Sequence, residues 1–221
     1  MESALKTQAA TAEENQLTFD SFFRRMATFL NEDMLVLADT SLCLFPSEEL
    51  VIKRRSGYIA QAVWLSIGYT TGGTLGAGLA YAKGPVVTFT GDGGFQMIPQ
   101  MLSTLARNNS SANVFIFNNR IYGMEQFLVN SSYFTNLSAK PEFYNNLPEW
   151  KYECLAEAFG VRVFIKVQTN HELEKALATI GRRPVGPVLV EVVIPPKDLP
   201  ACFRETAAHP AWLTITASTA H

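Results

Sequence analysis

Val86-Val87-Thr88-Phe89-Thr90-Gly91-Asp92-Gly93-Gly94-Phe95-Gln96 is an apolar run of strand length that ends in a glycine-rich turn. A turn of this kind, leading from a strand into a helix, brings backbone N–H groups close to an anion, and the helix N-terminus adds favourable partial charge. Four further apolar runs have strand character: Met34-Leu35-Val36-Leu37-Ala38, Asn113 to Asn118, Val161 to Val167 and Pro187 to Ile194. Between them the pattern predicts helices over about 68–82, 95–107, 148–159 and 170–181. Ahead of the first strand, Phe19, Phe22, Phe23, Met26, Phe29 and Leu30 recur at helical spacing, and Thr18 can cap that helix. Near-continuous apolar strands alternating with helices imply an α/β fold, an open, mostly parallel sheet with helices on both faces. Ligands in such sheets sit at the carboxyl ends of strands, so the loops after residues 38, 90 and 118 matter most.

The chain has 221 residues, 48 % of them apolar and 17 % charged, which suits one sizeable folded domain. Its net charge of −2 gives no electrostatic reason to expect nucleic acid or an anionic membrane as partner. Cys43, Cys154 and Cys202 are odd in number and contain no C-x-x-C, so neither a disulfide frame nor a zinc site is expected. Met1-Glu2-Ser3-Ala4-Leu5-Lys6 offers no apolar core for a secretory peptide, so a cytoplasmic, reducing location is expected. Asn-x-Ser/Thr at Asn108, Asn109, Asn130 and Asn136 then reads as chance. No apolar run reaches the ~18 residues of a membrane span. The nearest stretch, Ile67 to Ala82, is built from Gly, Ala and Thr and reads as a buried, tightly packed helix. Residues 1–16 read as a linker or disordered tail, 17–197 as the domain and 198–221 as a C-terminal tail.

Alone, Gly91-Asp92-Gly93 is equally a tight turn with an aspartate cap. The next strand ends in Asn118-Asn119, and Asn119 stands 27 residues after Asp92, room for one helix and one strand. That spacing puts Asp92 and Asn119 at the ends of neighbouring strands, facing one crevice. A carboxylate and an amide oxygen make a partial shell for a hard cation. Magnesium takes six oxygens, several of them from phosphate and water. A plain β-turn at Asn118-Asn119 is the alternative.

This combination resembles the thiamine-diphosphate motif. The wider likeness, over roughly 17–195, is to 2-oxoacid decarboxylases of the pyruvate and indolepyruvate decarboxylase kind. Trp64-Leu65-Ser66-Ile67-Gly68-Tyr69-Thr70 resembles that family's Trp-Gly-Ser-Ile-Gly-Phe/Tyr-Thr segment, and Ala38-Asp39-Thr40 its Ala-Glu/Asp-Thr/Gln run. The resemblance implies the thiamine-diphosphate-binding fold, with thiamine diphosphate and Mg2+ as cofactors and a 2-oxo acid as substrate. It implies that Asp92, Asn119 and the Ile121 carbonyl bind magnesium and that the Gly93 and Gly94 amides hold the diphosphate. Ile67 would wedge between the cofactor rings, and the Leu65 carbonyl would accept from the pyrimidine amino group. Thr40, Ser41, Leu42, Ser66, Gly91, Phe95, Tyr122, Gly123 and Met124 complete the implied contacts. Glu125 matches a family glutamate near the reactive carbon, acting after substrate addition. Read without the family, Ile67 is a core residue and Glu125 a solvated helix residue. Trp64 is expected to pack in either case.

Some positions depart from the family. Leu65 stands where the family has glycine, Leu42 where a threonine is expected, and Gln100-Met101 replaces Gln-Glu. Gly123-Met124 leans toward acetolactate synthases, which lack the glutamate. Apolar Ile121, Met124, Phe127 and Leu128 near Glu125 hint at an aromatic or branched substrate. The family also needs a pyrimidine-binding domain that supplies a glutamate, and its decarboxylases carry adjacent histidines there. His171, His209 and His221 are not adjacent, and none is expected to be catalytic. A partner domain, from another subunit or a missing segment, is therefore expected, in a homo- or hetero-oligomer. On its own the chain is expected to bind cofactor weakly and decarboxylate nothing. Rival readings are a carboligase domain like that of acetolactate synthase, or a non-catalytic cofactor-binding or assembly module.

Overall fold

The computed structural model describes residues 15–81 and 83–208. Residues 1–14 of the expected N-terminal tail, and His209 and His221, lie outside the described residues. The strands are β1 (Leu35–Ala38), β2 (Tyr58–Ala60), β3 (Val86–Gly91), β4 (Ala112–Asn118), β5 (Val163–Val167) and β6 (Val188–Val193). They form one parallel sheet in the order β2-β1-β3-β4-β6-β5. The helices are α1 (Phe19–Phe29), α2 (Leu44–Glu48), α3 (Tyr69–Ala80), α4 (Asp92–Phe95), α5 (Met101–Arg107), α6 (Gly123–Asn130), α7 (Ser132–Thr135), α8 (Tyr152–Ala158), α9 (Asn170–Gly181) and α10 (Ala201–Ala208).

The five expected strands are present. β2 escaped the apolar-run criterion because it is a three-residue edge strand that is only partly buried. Residues of β4 alternate between two cores. Phe115 and Phe117 face α1 and α9, while Val114 and Ile116 face the layer of α5 and α8. Burying both faces is what makes the central strands apolar without interruption.

Thr18 and Ser21 close a capping box at the start of α1, as Thr169 and Glu172 do for α9. The stripe that α1 buries is aromatic. The Phe22 ring meets Phe23, Phe89, Phe115 and Phe117 edge-on, with centroids 4.8–5.9 Å apart. Edge-to-face pairs at these distances add directional attraction to burial.

Several expectations need correcting. The helix expected over 95–107 is split into α4 and α5, with Pro99 in the gap. Proline disfavours the helical conformation at the residue before it and has no N–H to donate. The glycine-rich α3 is not tightly packed all round. Thr70, Thr71 and Thr74 are buried, but Leu79 is exposed. Residues 198–221 are not a tail throughout. Phe203 of α10 sits 4.6 Å from Phe45 and 4.9 Å from Phe127, between ring centroids. Asp198 accepts from the Phe19 N–H at 2.7 Å, and Arg204 pairs with Asp20. The packed body therefore continues past residue 198. At the other end, Gln16 bridges to Thr169, and the Leu17 N–H donates to the Gln168 carbonyl.

Replacing Phe22 with alanine should cost about 3–5 kcal/mol in urea unfolding, whereas Phe143→Ala, at a well-exposed ring, should stay within about 0.5 kcal/mol. Equal effects would mean that the aromatic layer is not the core.

Candidate functional site

From β1 the chain moves outward to β2, and from β3 it moves the other way to β4. Loops leaving β1 and β3 therefore diverge, and a crevice opens between them at the carboxyl ends. A cavity of about 300 Å³ lies there. Thr40, Ser41, Leu42, Leu65, Ile67, Gly91, Asp92, Gly93, Gly94, Asn119, Ile121, Tyr122, Gly123, Met124 and Glu125 all line it. Two expected contacts do not line it. Ser66 is exposed outside the lining, and the Phe95 ring is committed to the core, 5.8 Å from Tyr152. Phe19, Phe45, Phe117 and Leu128 also form the wall. Leu128 belongs to the apolar set expected near Glu125, whereas Phe127 of that set does not line the cavity; nothing local in the sequence marks Phe19, Phe45 or Phe117 as cavity residues.

β3 ends with Gly91 opposite Phe117, one residue before the end of β4, so Asp92 and Asn119 emerge from adjacent strand ends. Asp92 is only 3 % exposed. Its carboxylate accepts the Gly93 N–H at 2.9 Å and the Arg120 N–H at 2.7 Å. Arg120 is held at φ +62°, in the left-handed region, with that N–H aimed at Asp92. Among the described residues no ammonium or guanidinium pairs with Asp92, and the Arg120 side chain reaches Glu149 instead. Burial pushes the Asp92 carboxyl up to about 7, against the backbone donors that pull it down. Asn119 lines the same cavity, and its side-chain oxygen accepts the Ile121 N–H at 3.4 Å. A buried acid without a side-chain cation among the described residues, in a cavity that Asn119 and Ile121 also line, fits a hard divalent cation that takes its other ligands from phosphate and water. No cluster of three or more His, Cys, Asp or Glu suited to a metal occurs among the described residues, so an all-protein metal cage is absent there. The first asparagine of the pair does other work: Asn118 donates to buried Glu191 at 2.7 Å.

The glycines around Asp92 are set by close approach. A Cβ on Gly93 would lie 2.3 Å from the Tyr122 ring, and one on Gly94 2.6 Å from Asp39 Oδ2. A side chain at either position would have to displace the Tyr122 ring or the Asp39 carboxylate, and glycine leaves the backbone open to an anion. The Gly93 N–H serves Asp92, so an arriving anion competes with that bond.

The departures from the family acquire reasons here. Leu65 has φ +52°, a left-handed conformation that favours glycine. Leu42 turns its side chain inward against Gly123, where a Cβ would lie 2.5 Å from Leu42 Cδ1. Ile67 is not a core residue; it is 37 % exposed at the cavity rim. Trp64 does not pack as expected, being 81 % exposed. Glu125 is exposed on the cavity wall, in the first turn of α6. A second crevice of about 330 Å³ lies on the other side of Asn119, lined by Gln16, Asn118, Arg120, Gln168 and residues 193–196. It holds no carboxylate and lies away from the glycine turn.

Residues 46–192 match the family model described as thiamine pyrophosphate enzyme, C-terminal TPP binding domain. An alpha-keto-acid decarboxylase of Mycolicibacterium paratuberculosis is 32 % identical over 194 residues, covering 87 % of this chain and 33 % of the relative. Its counterpart in Mycobacterium avium is 31 % identical over the same shares. The structure of benzoylformate decarboxylase from Polynucleobacter necessarius superposes with a TM-score of 0.65 at 20 % identity, covering 78 % of this chain and 32 % of that one. At that identity the likeness concerns the fold alone. The chain spans about a third of the length of the curated relatives it matches.

Leu65→Gly should stabilise the fold by about 0.5–1 kcal/mol, because strain at positive φ outweighs the entropy of a new glycine. A lower urea midpoint would contradict that strain. Asp92 gives a pH signature. Below about pH 4 both the folded and unfolded chain keep its proton, so its burial costs little. Between about 4 and 7 the unfolded chain loses the proton first, and stability falls as pH rises. The stability of Asp92→Asn relative to wild type should therefore grow from about pH 4.5 to about pH 8. A constant difference would mean that the carboxyl is not perturbed.

Proposed function

We propose a role from one premise: the chain belongs to the thiamine pyrophosphate enzyme family, as a C-terminal TPP-binding domain. It serves as the diphosphate- and magnesium-binding half of a thiamine-diphosphate-dependent 2-oxoacid decarboxylase. The observation that carries this reading is the buried Asp92 carboxylate, without a cationic partner among the described residues, in one cavity with Asn119 and a glycine turn where a Cβ on Gly93 or Gly94 would collide with its neighbours. Asp92, Asn119 and the Ile121 carbonyl hold Mg2+. Gly91, Gly93 and Gly94 carry the diphosphate on backbone. Ile67 and the Leu65 carbonyl, both at the rim, would contact the ring end of the cofactor. Thr40, Ser41, Leu42, Tyr122, Gly123 and Met124 shape the remaining wall. When bound, the cofactor supplies an electron sink for the carbanion left by decarboxylation. Glu125, at the open wall, would supply the carboxyl group for proton transfer at that end of the cavity. Leu42, Phe45, Ile121, Met124 and Leu128 make that end of the cavity apolar, which supports an aromatic or branched 2-oxo acid.

The curated relatives are about three times as long, which supports a pyrimidine-binding domain lying outside this chain. The exposed Val63, Trp64 and Leu65 beside the rim support a partner that covers them, in a homo- or hetero-oligomer. Strain at Leu65 favours a second reading, a module that holds cofactor without turning substrate over.

Titration calorimetry with thiamine diphosphate and Mg2+ tests the site. Asp92→Ala should weaken binding at least about tenfold, a loss of about 1.4 kcal/mol or more. Identical heats for wild type and variant would remove the metal assignment. Mixed with 2-oxo acids, cofactor and Mg2+, the chain alone should release no carbon dioxide. Robust turnover would refute the half-site.

A further inference from the structure

We infer that Asp39 is a positioning residue that fixes the spacing of the three loops around the diphosphate cradle. The inference rests on the cofactor reading above. Asp39 follows β1, is fully buried, and does not line the cavity. Its own N–H donates to the Phe89 carbonyl at 2.8 Å, extending the β1–β3 pairing by one rung. Oδ1 accepts the Thr40 N–H at 2.9 Å and the Gly68 N–H at 3.1 Å. Oδ2 accepts Thr90 Oγ1 at 2.8 Å, Thr70 Oγ1 at 3.1 Å and the Gly68 N–H at 3.0 Å. One carboxylate thus binds the loop after β1, the entrance of α3 and the end of β3.

Three of the partners, Thr40, Gly68 and Thr90, are cavity residues or adjoin one. Thr40 lines the cavity directly, and Gly68 follows Ile67. Thr90 precedes Gly91, and Gly94 packs against Asp39 Oδ2 so closely that a Cβ there would be 2.6 Å away. Gly68 is itself held at φ +84° with Gly94 O pressed against it, a Cβ there being 2.8 Å from that oxygen. Moving Asp39 therefore moves the cradle and the rim together. Every group facing the carboxylate is a donor, which suits an acid better than an amide. In Asp39→Asn the side-chain NH2 would turn toward either the threonine hydroxyls or the backbone N–H groups. Charge-assisted bonds of this kind are short and directional, and holding a site in its bound shape lowers the cost of binding.

The test uses the full chain and two probes, thiamine diphosphate with Mg2+ and inorganic pyrophosphate with Mg2+. Calorimetry and thermal melts are run on wild type, Asp39→Asn, Asp39→Ala and Leu177→Ala. Leu177 is a buried residue of α9 and lines no part of the cavity, so its truncation lowers stability without touching the loops. The expected result is affinity for both probes reduced about tenfold in Asp39→Asn and further in Asp39→Ala, with Leu177→Ala binding like wild type. Wild-type affinity in Asp39→Asn would overturn the inference and leave the cofactor reading standing. Weakening in Leu177→Ala that matches its loss of melting temperature would also overturn it, since stability alone would then explain the effect. Absence of binding by wild type would sink both. Should neither Asp39 variant fold, Thr90→Val removes the 2.8 Å bond while keeping side-chain shape. Weaker binding of both probes by Thr90→Val supports the positioning role, and unchanged binding contradicts it.

Discussion

Everything at the site depends on the register between β3 and β4. They pair in parallel from Val86 opposite Ala112 to Gly91 opposite Phe117. Because the two strands end within one residue of each other, Asp92 and Asn119 leave the sheet at adjacent places. The 27-residue interval between Asp92 and Asn119 is the length of one crossover, through α4 and α5 and back. Shifting that pairing by one residue would turn the side chains of β4 to the opposite faces and dissolve both cores. The phenylalanine layer on one face and the α5–α8 layer on the other hold the register in place.

The price of the arrangement is a charge in a poor solvent. Asp92 is almost fully buried, and the backbone donors it accepts only partly offset desolvation. Arg120 is held in a left-handed conformation with its N–H on that carboxylate. Folding thus keeps a buried acid at the cavity, raised toward neutrality by desolvation and held by backbone donors. The topological switch between β1 and β3 leaves open space beside it, and the glycines leave backbone at the surface of that space.

Much of this is legible in the chain. Long apolar strands, the phenylalanine stripe of α1 and the Asp92–Asn119 interval each have a direct signature in residue order. What escapes has physical reasons. β2 is a short edge strand with no apolar run. α10 is held by Phe203 between Phe45 and Phe127, residues distant in sequence, and a weakly amphipathic segment does not announce such partners. By position Phe95 belongs to the glycine loop, yet its ring turns into the core. Asp39 is visible in sequence only as part of a family-like run, because its partners Gly68, Thr70 and Thr90 meet it through tertiary structure. Leu65 is a mismatch in residue type, and its positive φ supplies the reason for glycine at that position in the family.

A crystal structure grown with thiamine diphosphate and Mg2+ tests the central assignment most directly. The expected result is a cation at about 2.0–2.1 Å from Asp92 and Asn119 side-chain oxygens, with the diphosphate over Gly93 and Gly94. Cofactor lodged instead in the crevice beyond Asn118, or a cation without Asp92 among its ligands, would contradict it.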